Sequence, residues 1–184
     1  MMYYNLGIII IFILYFIYDL NSIHWHLKIF NKLFMIGSIA FIVLNGLILY
    51  KFLPTITITF INVFLLIFAI AFLGLLIYTL FFALPFTSTY VKISSKPKVV
   101  RTGVYSLSRH IGVFWFILMY ICIGIVINAT AFTVFASLAC LLNILYIIFQ
   151  DNYTFMIQFD DYADYKKTVP FLIPNFKNYQ HKGE

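Results

Sequence analysis

The densest chemistry in this chain lies between Arg101 and His110, in the run Arg101-Thr102-Gly103-Val104-Tyr105-Ser106-Leu107-Ser108-Arg109-His110. A guanidinium and an imidazole stand side by side at its end, directly before an apolar stretch. Gln150-Asp151 closes the next apolar stretch, and Tyr162 and Tyr165 follow. A guanidinium can hold a carboxylate through two parallel hydrogen bonds. An imidazole can hold or move a proton near neutral pH. Side-chain carboxylates accept from ammonium and hydroxyl groups. Two outcomes are open for such a set: an Arg109–Asp151 ion pair that pins the chain, or a ligand site.

The elements that must position these groups are hydrophobic. Of 184 residues, 64% are hydrophobic and 10% charged, and the mean hydropathy is +1.00. These values lie outside the range of soluble domains. About 20 apolar residues as helix cross the ~30 Å of bilayer hydrocarbon. Five runs approach or exceed that length, over residues 6–20, 33–50, 56–84, 111–127 and 131–149. The first and fourth are short, and the third is long enough to tilt. No basic residue precedes the first run and no small-residue cleavage site follows it, so it reads as a span rather than a signal peptide. Unbroken apolar runs exclude a membrane β-barrel. The expected class is therefore all-α: a polytopic bundle of about five transmembrane helices with a C-terminal amphipathic helix.

The basic residues orient it. Lys28 and Lys32 follow the first run, Lys92, Lys96, Lys98, Arg101 and Arg109 lie between the third and fourth, and Lys166, Lys167, Lys177 and Lys182 follow the fifth. Only Lys51 lies in an opposite loop. Cationic loops stay on the cytoplasmic side, which puts the N-terminus outside and the C-terminus inside. The net charge of +6 is then orientation signal and attraction to anionic headgroups, and nucleic acid is not an expected partner. Cys122 and Cys140 sit inside neighbouring spans as packing residues, with neither a disulfide nor a metal site expected. Asp19 is expected to snorkel to the interface. Asn45, Asn62 and Asn143 are expected to hydrogen-bond between helices.

The chain changes character near residue 84. Residues 1–84 form a three-span region with little specific chemistry. Residues 85–184 carry a basic loop, a two-helix hairpin and an amphipathic tail. Asn128-Ala129-Thr130 leaves only a tight turn between the fourth and fifth spans, so these are antiparallel neighbours. Their inner ends bring Arg109 and His110 to Gln150 and Asp151. Ionisable groups at that depth are costly unless they pair or bind something. Phe155, Phe159, Tyr162 and Tyr165, spaced by four, three and three, share one side of a helix. Pro170 and Pro174 end it.

These residues resemble the superfamily of isoprenylcysteine carboxyl methyltransferases and phospholipid methyltransferases, integral-membrane enzymes with a Gly-x-Tyr-x-x-x-Arg-His-Pro motif opening a helical hairpin. Gly103, Tyr105, Arg109 and His110 match that motif, and Tyr162, Tyr165, Val169, Pro170 and Pro174 match the family's Tyr-x-x-Tyr and Val-Pro…Pro ending. Ile111 replaces the motif's proline, and Gln150-Asp151 stands where the family has an acidic pair. The resemblance covers about residues 96–176. It implies a catalytic region over residues 85–184 that encloses S-adenosylmethionine on the cytoplasmic side, while a lipid or lipophilic acceptor enters from the bilayer.

The resemblance assigns Gly103, Tyr105, Arg109, His110, Gln150, Asp151, Tyr162 and Tyr165 to cofactor binding, and Arg109 and His110 to catalysis. Arg109 would hold the cofactor carboxylate, Asp151 its ammonium or ribose hydroxyls, and Tyr162 or Tyr165 its adenine. His110 binds cofactor first and serves as base second. Membrane reductases with a nicotinamide cofactor resemble the same architecture, and loop 86–101 could supply contacts to a 2′-phosphate. A third alternative is a non-enzymatic packing module. No charged residue lies mid-span and no repeat is visible, which disfavours a transporter.

Overall fold

The computed structural model describes residues 1–83 and 98–179. Each apolar run forms a helix: α1 (Met2–Leu20), α2 (Leu33–Phe52), α3 (Phe60–Ile77), α5 (Ile111–Ile127) and α6 (Thr130–Phe149). A one-turn helix, α4 (Val104–Leu107), leads into α5, and two short helices, α7 (Phe155–Gln158) and α8 (Tyr162–Thr168), follow α6. No strand occurs among the described residues. With the turns that continue them, α1, α2, α3 and α6 are long and apolar enough to cross a membrane, and α5 is a shorter apolar helix.

Local chemistry sets the helix ends. The Thr59 hydroxyl accepts from the Asn62 N–H at 3.2 Å, an N-cap that starts α3 at Phe60. Residues 56–59, expected to open the third span, therefore lie outside its helix. Asn128 adopts φ 46° and ψ 43° and its N–H donates to Gly124 O. This left-handed cap, which Asn tolerates better than other non-glycine residues, turns α5 into α6 through Ala129 alone.

The helices are apolar on nearly every side, and the outward faces keep large side chains: Ile42 is 70% exposed and Ile70 69%. Exposed hydrocarbon on that scale has bilayer as its solvent. The helices order themselves as α3–α5–α6–α1–α2 by direct packing. Phe12, Ile48, Phe116, Tyr120, Phe132 and Phe135 fill the centre. Gly37 admits the Tyr15 ring, which a Cβ would meet at 2.8 Å, so α1 and α2 approach closely. Tyr120 donates to Asn45 Oδ1 across α5 and α2, the interhelical bond expected of Asn45. Asn62 instead donates to Thr57 in its own connection, at 2.8 and 3.1 Å.

One end of the bundle collects Lys28, Lys32, Lys98, Arg101, Arg109, Lys166 and Lys167. Lys51 sits at the other, with its Nζ 3.7 Å from Met1 Sδ. The charge asymmetry read from the chain is thus an asymmetry of the folded bundle. Lys92, Lys96 and Lys182, and most of the loop that would favour a 2′-phosphate, lie outside the described residues.

Candidate functional site

At the cationic end, α5 begins at Ile111 and α6 ends at Phe149, so Arg109 and His110 stand beside the last turns of α6. There the helix widens into a π-turn over Gln150–Thr154, a distortion often found at functional sites. Neighbouring residues on a helix point about 100° apart, and Gln150 and Asp151 separate accordingly. Gln150 Nε2 donates to Asp19 Oδ2 of α1 at 2.9 Å. Asp151 turns toward Arg109. Gln150 therefore lies apart from the Arg109–His110–Asp151 set. Asp19 is buried against it, 4% exposed, and does not snorkel.

Asp151 is the hub. It accepts from Arg109 Nε at 2.8 Å and Arg109 Nη2 at 3.2 Å, the bidentate geometry of a strong pair. Tyr162 Oη donates to it at 2.7 Å, His110 Nε2 lies at 3.3 Å, and Lys166 Nζ at 2.9 Å. The carboxylate and guanidinium side chains are 3% and 8% exposed. A buried charge is tolerable only when its oxygens are met in this way. The Arg109 fork has a second attachment, since Nη1 donates to Lys166 O at 3.0 Å and to Val169 O.

The tail is strapped across the same place. Arg109 and His110 N–H groups donate to Pro170 O and Phe171 O at 2.9 and 3.1 Å, and Asn175 N–H donates to Leu107 O at 2.9 Å. The single Ser108 O–H is shared between Phe171 O and Leu172 O, each 3.0 Å from Oγ. The strap sets Phe171 edge-on to His110, with ring centroids 5.1 Å apart, and Phe155 stacks on the other side at 6.1 Å. His110 is held between two aromatic rings.

That environment decides its protonation. Burial pushes the His110 imidazole below its ordinary value, opposed by Asp151 and reinforced by the charges of Arg109 and Lys166. The carboxylate already has two cations, so the ring stays neutral, with Nε2–H donating to Asp151. Its other nitrogen takes no hydrogen bond among the described residues.

The remaining expected residues build the floor. Gly103 adopts φ 64° and ψ −137°, a region open to glycine and strained for other residues, and this bend delivers α4. Tyr105 Oη donates to Thr79 O at 2.8 Å, and Tyr165 Oη to Tyr105 O at 2.6 Å, so α8, α4 and the end of α3 form one chain of bonds. Burial raises the Tyr105 hydroxyl to about 12 and pushes Tyr162 and Tyr165 higher still, so all three act as donors. Tyr162 and Tyr165 are 3% and 2% exposed, and their rings pack within the protein.

The aromatic stripe is not on one continuous helix. Phe159 is extended at φ −118° and ψ 129°. The helix restarts after Asp161, whose carboxylate accepts from Val99 N–H at 2.9 Å and Arg101 Nη2 at 3.0 Å. A negative charge at that N-terminus favours the restart. The four aromatic residues still meet as a cluster.

Three contributors were missed by sequence reasoning. Lys166, read only as an orienting charge, lies four residues after Tyr162 and shares its helix face. Ser108 and Phe171 carried no signal, because their roles depend on the strap.

No protein-family model, no curated protein and no solved structure matches this chain.

Proposed function

We propose that this protein is an integral-membrane methyltransferase that moves a methyl group from S-adenosylmethionine to a lipid or lipophilic acceptor at the cationic end of the bundle, with that end in the cytoplasm. The observation that carries the proposal is the neutral His110, oriented by Asp151 and held between Phe155 and Phe171 at the membrane boundary.

The donor set fits such a cofactor in part, and in a different allotment from that implied by the resemblance. The cofactor supplies an electrophilic methyl on a sulfonium. Phe155 and Phe171, both partly exposed, offer faces that favour a cation. Arg109 directs its Nε and both Nη groups to Asp151, Lys166 O and Val169 O, and Lys166 Nζ meets Asp151 Oδ2, Asp151 O and Asn152 Oδ1. A cofactor carboxylate would therefore reach Lys166, with its side chain 26% exposed, in exchange for Asn152. Arg109 and Asp151 serve as positioning residues. Tyr162, Tyr165, Tyr105 and Gly103 hold them in place.

Methyl transfer is an in-line displacement, and catalysis is chiefly alignment and exclusion of water. A carboxylate acceptor needs no base. For a hydroxyl, thiol or amine acceptor, His110 Nδ1 accepts the proton while Nε2–H remains on Asp151. The cationic end, meeting anionic headgroups, brings lipid acceptors to the site.

A second reading rests on the same saturation of Arg109 and Asp151: a non-enzymatic bundle in which the pair only pins the hairpin and tail. The two part in one experiment. Purified protein is incubated with methyl-labelled S-adenosylmethionine and a membrane lipid extract. Label recovered in the lipid fraction, and lost with His110→Ala, supports the enzyme. Unlabelled lipid with wild-type protein supports the pinning role.

A further inference from the structure

The opposite end of the bundle carries two adjoining cavities of contrasting chemistry. The consecutive helices α2 and α3 do not pack substantially on each other, because each leans on a different neighbour. The cleft between them is floored by α5. Its walls are Leu49 and Leu53 of α2 and its connection, Ile70 and Leu73 of α3, and Met119 and Ile123 of α5, around a cavity of about 330 Å³. Directly above lies a second cavity of about 360 Å³, edged by Thr57, Asn62 and Asn128. Val126 and Ile127 line both, so the two adjoin. Each falls within the ~300–1,000 Å³ range of small-molecule sites.

The upper cavity selects among headgroups. No charged side chain lines either space. Asn62 spends its amide N–H groups on Thr57 O and Thr57 Oγ1, which leaves Asn62 Oδ1 to accept and the Thr57 O–H to donate. The exposed Asn128 amide offers both functions. A neighbouring donor and acceptor with no charge match hydroxyl groups, which do both. The lower cavity opens sideways among residues that face hydrocarbon, such as Ile70. A polar, uncharged chamber over an apolar one is the complement of a neutral amphiphile.

We propose that this cleft is a binding site for a neutral, single-chain lipid with a hydroxyl headgroup, of the monoacylglycerol class, in the leaflet opposite the cationic end. The head sits among Thr57, Asn62 and Asn128, and the chain runs down between α2 and α3. The headgroup cavity lies a helix length from His110, about 25 Å for the 17 residues of α5 at 1.5 Å each, and the chain cavity stops at Met119, about 13 Å along α5 from His110. The cleft is therefore separate from the methyl-transfer site and does not rest on that function.

The chain carries its own reporter. Of its two tryptophans, Trp25 is at the cationic end, and Trp115 lies one turn from Met119 and stacks on Phe72 at 6.1 Å, next to Leu73. Trp25→Phe protein in phosphatidylcholine nanodiscs is titrated with monoacylglycerol brominated on its chain. The expected result is saturable quenching of Trp115 beyond that from brominated phosphatidylcholine at the same mole fraction. Unlabelled monoacylglycerol reverses it, and phosphatidylglycerol of equal chain length does not. Asn128→Gly keeps the left-handed backbone and removes one hydrogen-bonding group, so affinity falls about 2- to 10-fold at unchanged thermal stability. Leu73→Phe fills the lower cavity and weakens binding of the chain. Quenching in simple proportion to mole fraction, equal displacement by the anionic lipid, or wild-type binding in both variants overturns the proposal.

Discussion

Replacing Asp151 by Asn removes one charge and leaves the shape of the side chain nearly intact, so its effect isolates the electrostatics of the hub. Asp151 holds Arg109 at 2.8 and 3.2 Å with side chains 3% and 8% exposed. An exposed pair would contribute about 0–1 kcal/mol. A buried pair broken on one side costs about 3–5 kcal/mol, because the surviving charge keeps its desolvation penalty. Here the survivors are the Arg109 guanidinium and the Lys166 ammonium, and Arg109 keeps only neutral acceptors: the Asn oxygen, Lys166 O and Val169 O. For a chain of this size ~1 kcal/mol moves the melting temperature about 2–4 °C, so Asp151→Asn should melt roughly 6–20 °C below wild type in detergent. Arg109→Met combined with Asp151→Leu removes both charges. It should cost less than the sum of the single substitutions by about 2 kcal/mol or more, the coupling of residues in contact. Thermal denaturation of the five proteins (wild type, Asp151→Asn, Asp151→Leu, Arg109→Met and the double variant) in one detergent measures this. A loss below about 1 kcal/mol in Asp151→Asn, or additivity within ~0.5 kcal/mol, would refute the hub.

Further expectations concern the parts around it. His110 is held below its ordinary value of 6.5, chiefly by burial, so the unfolded chain takes up a proton more readily. Stability should hold above that pH and decline as pH falls below it, and His110→Gln should flatten the decline in melting curves between pH 5 and 8. Gly103→Ala forces a side chain onto φ 64° and should cost about 1–3 kcal/mol, read as a lower denaturant midpoint. Tyr105→Phe removes the bond to Thr79 O and should cost about 0.5–1.5 kcal/mol, more if the carbonyl stays unsatisfied. Asp19→Asn keeps a hydrogen-bonding partner for Gln150 without a buried charge, so its melting temperature should equal or exceed that of wild type.

Sequence legibility followed the range of the interactions. The five apolar runs became helices because their composition is decisive in lipid, where backbone groups must pair internally. The short connection at Asn128-Ala129-Thr130 fixed α5 against α6, and through it Arg109 against Asp151. Tyr162 reached the same carboxylate from its place on the tail. The different fates of Gln150 and Asp151 were not visible, because a π-turn and the docking of α1 decide which way each points. The break at Phe159 was hidden too: periodicity favoured one helix, and Asp161 answering Arg101 and Val99 across the chain overrode it. The backbone strap from Pro170 to Asn175 leaves no pattern in side-chain types.

The most direct test of the central claim is calorimetric titration of S-adenosylhomocysteine, the product form of the cofactor, into purified wild-type protein and into His110→Ala. The account predicts saturable binding to wild type that is weakened at least about tenfold, or ~1.4 kcal/mol, in the variant, titrated at a temperature where melting curves show it still folded. Absence of heat at millimolar ligand, or equal affinity in both proteins, would contradict it.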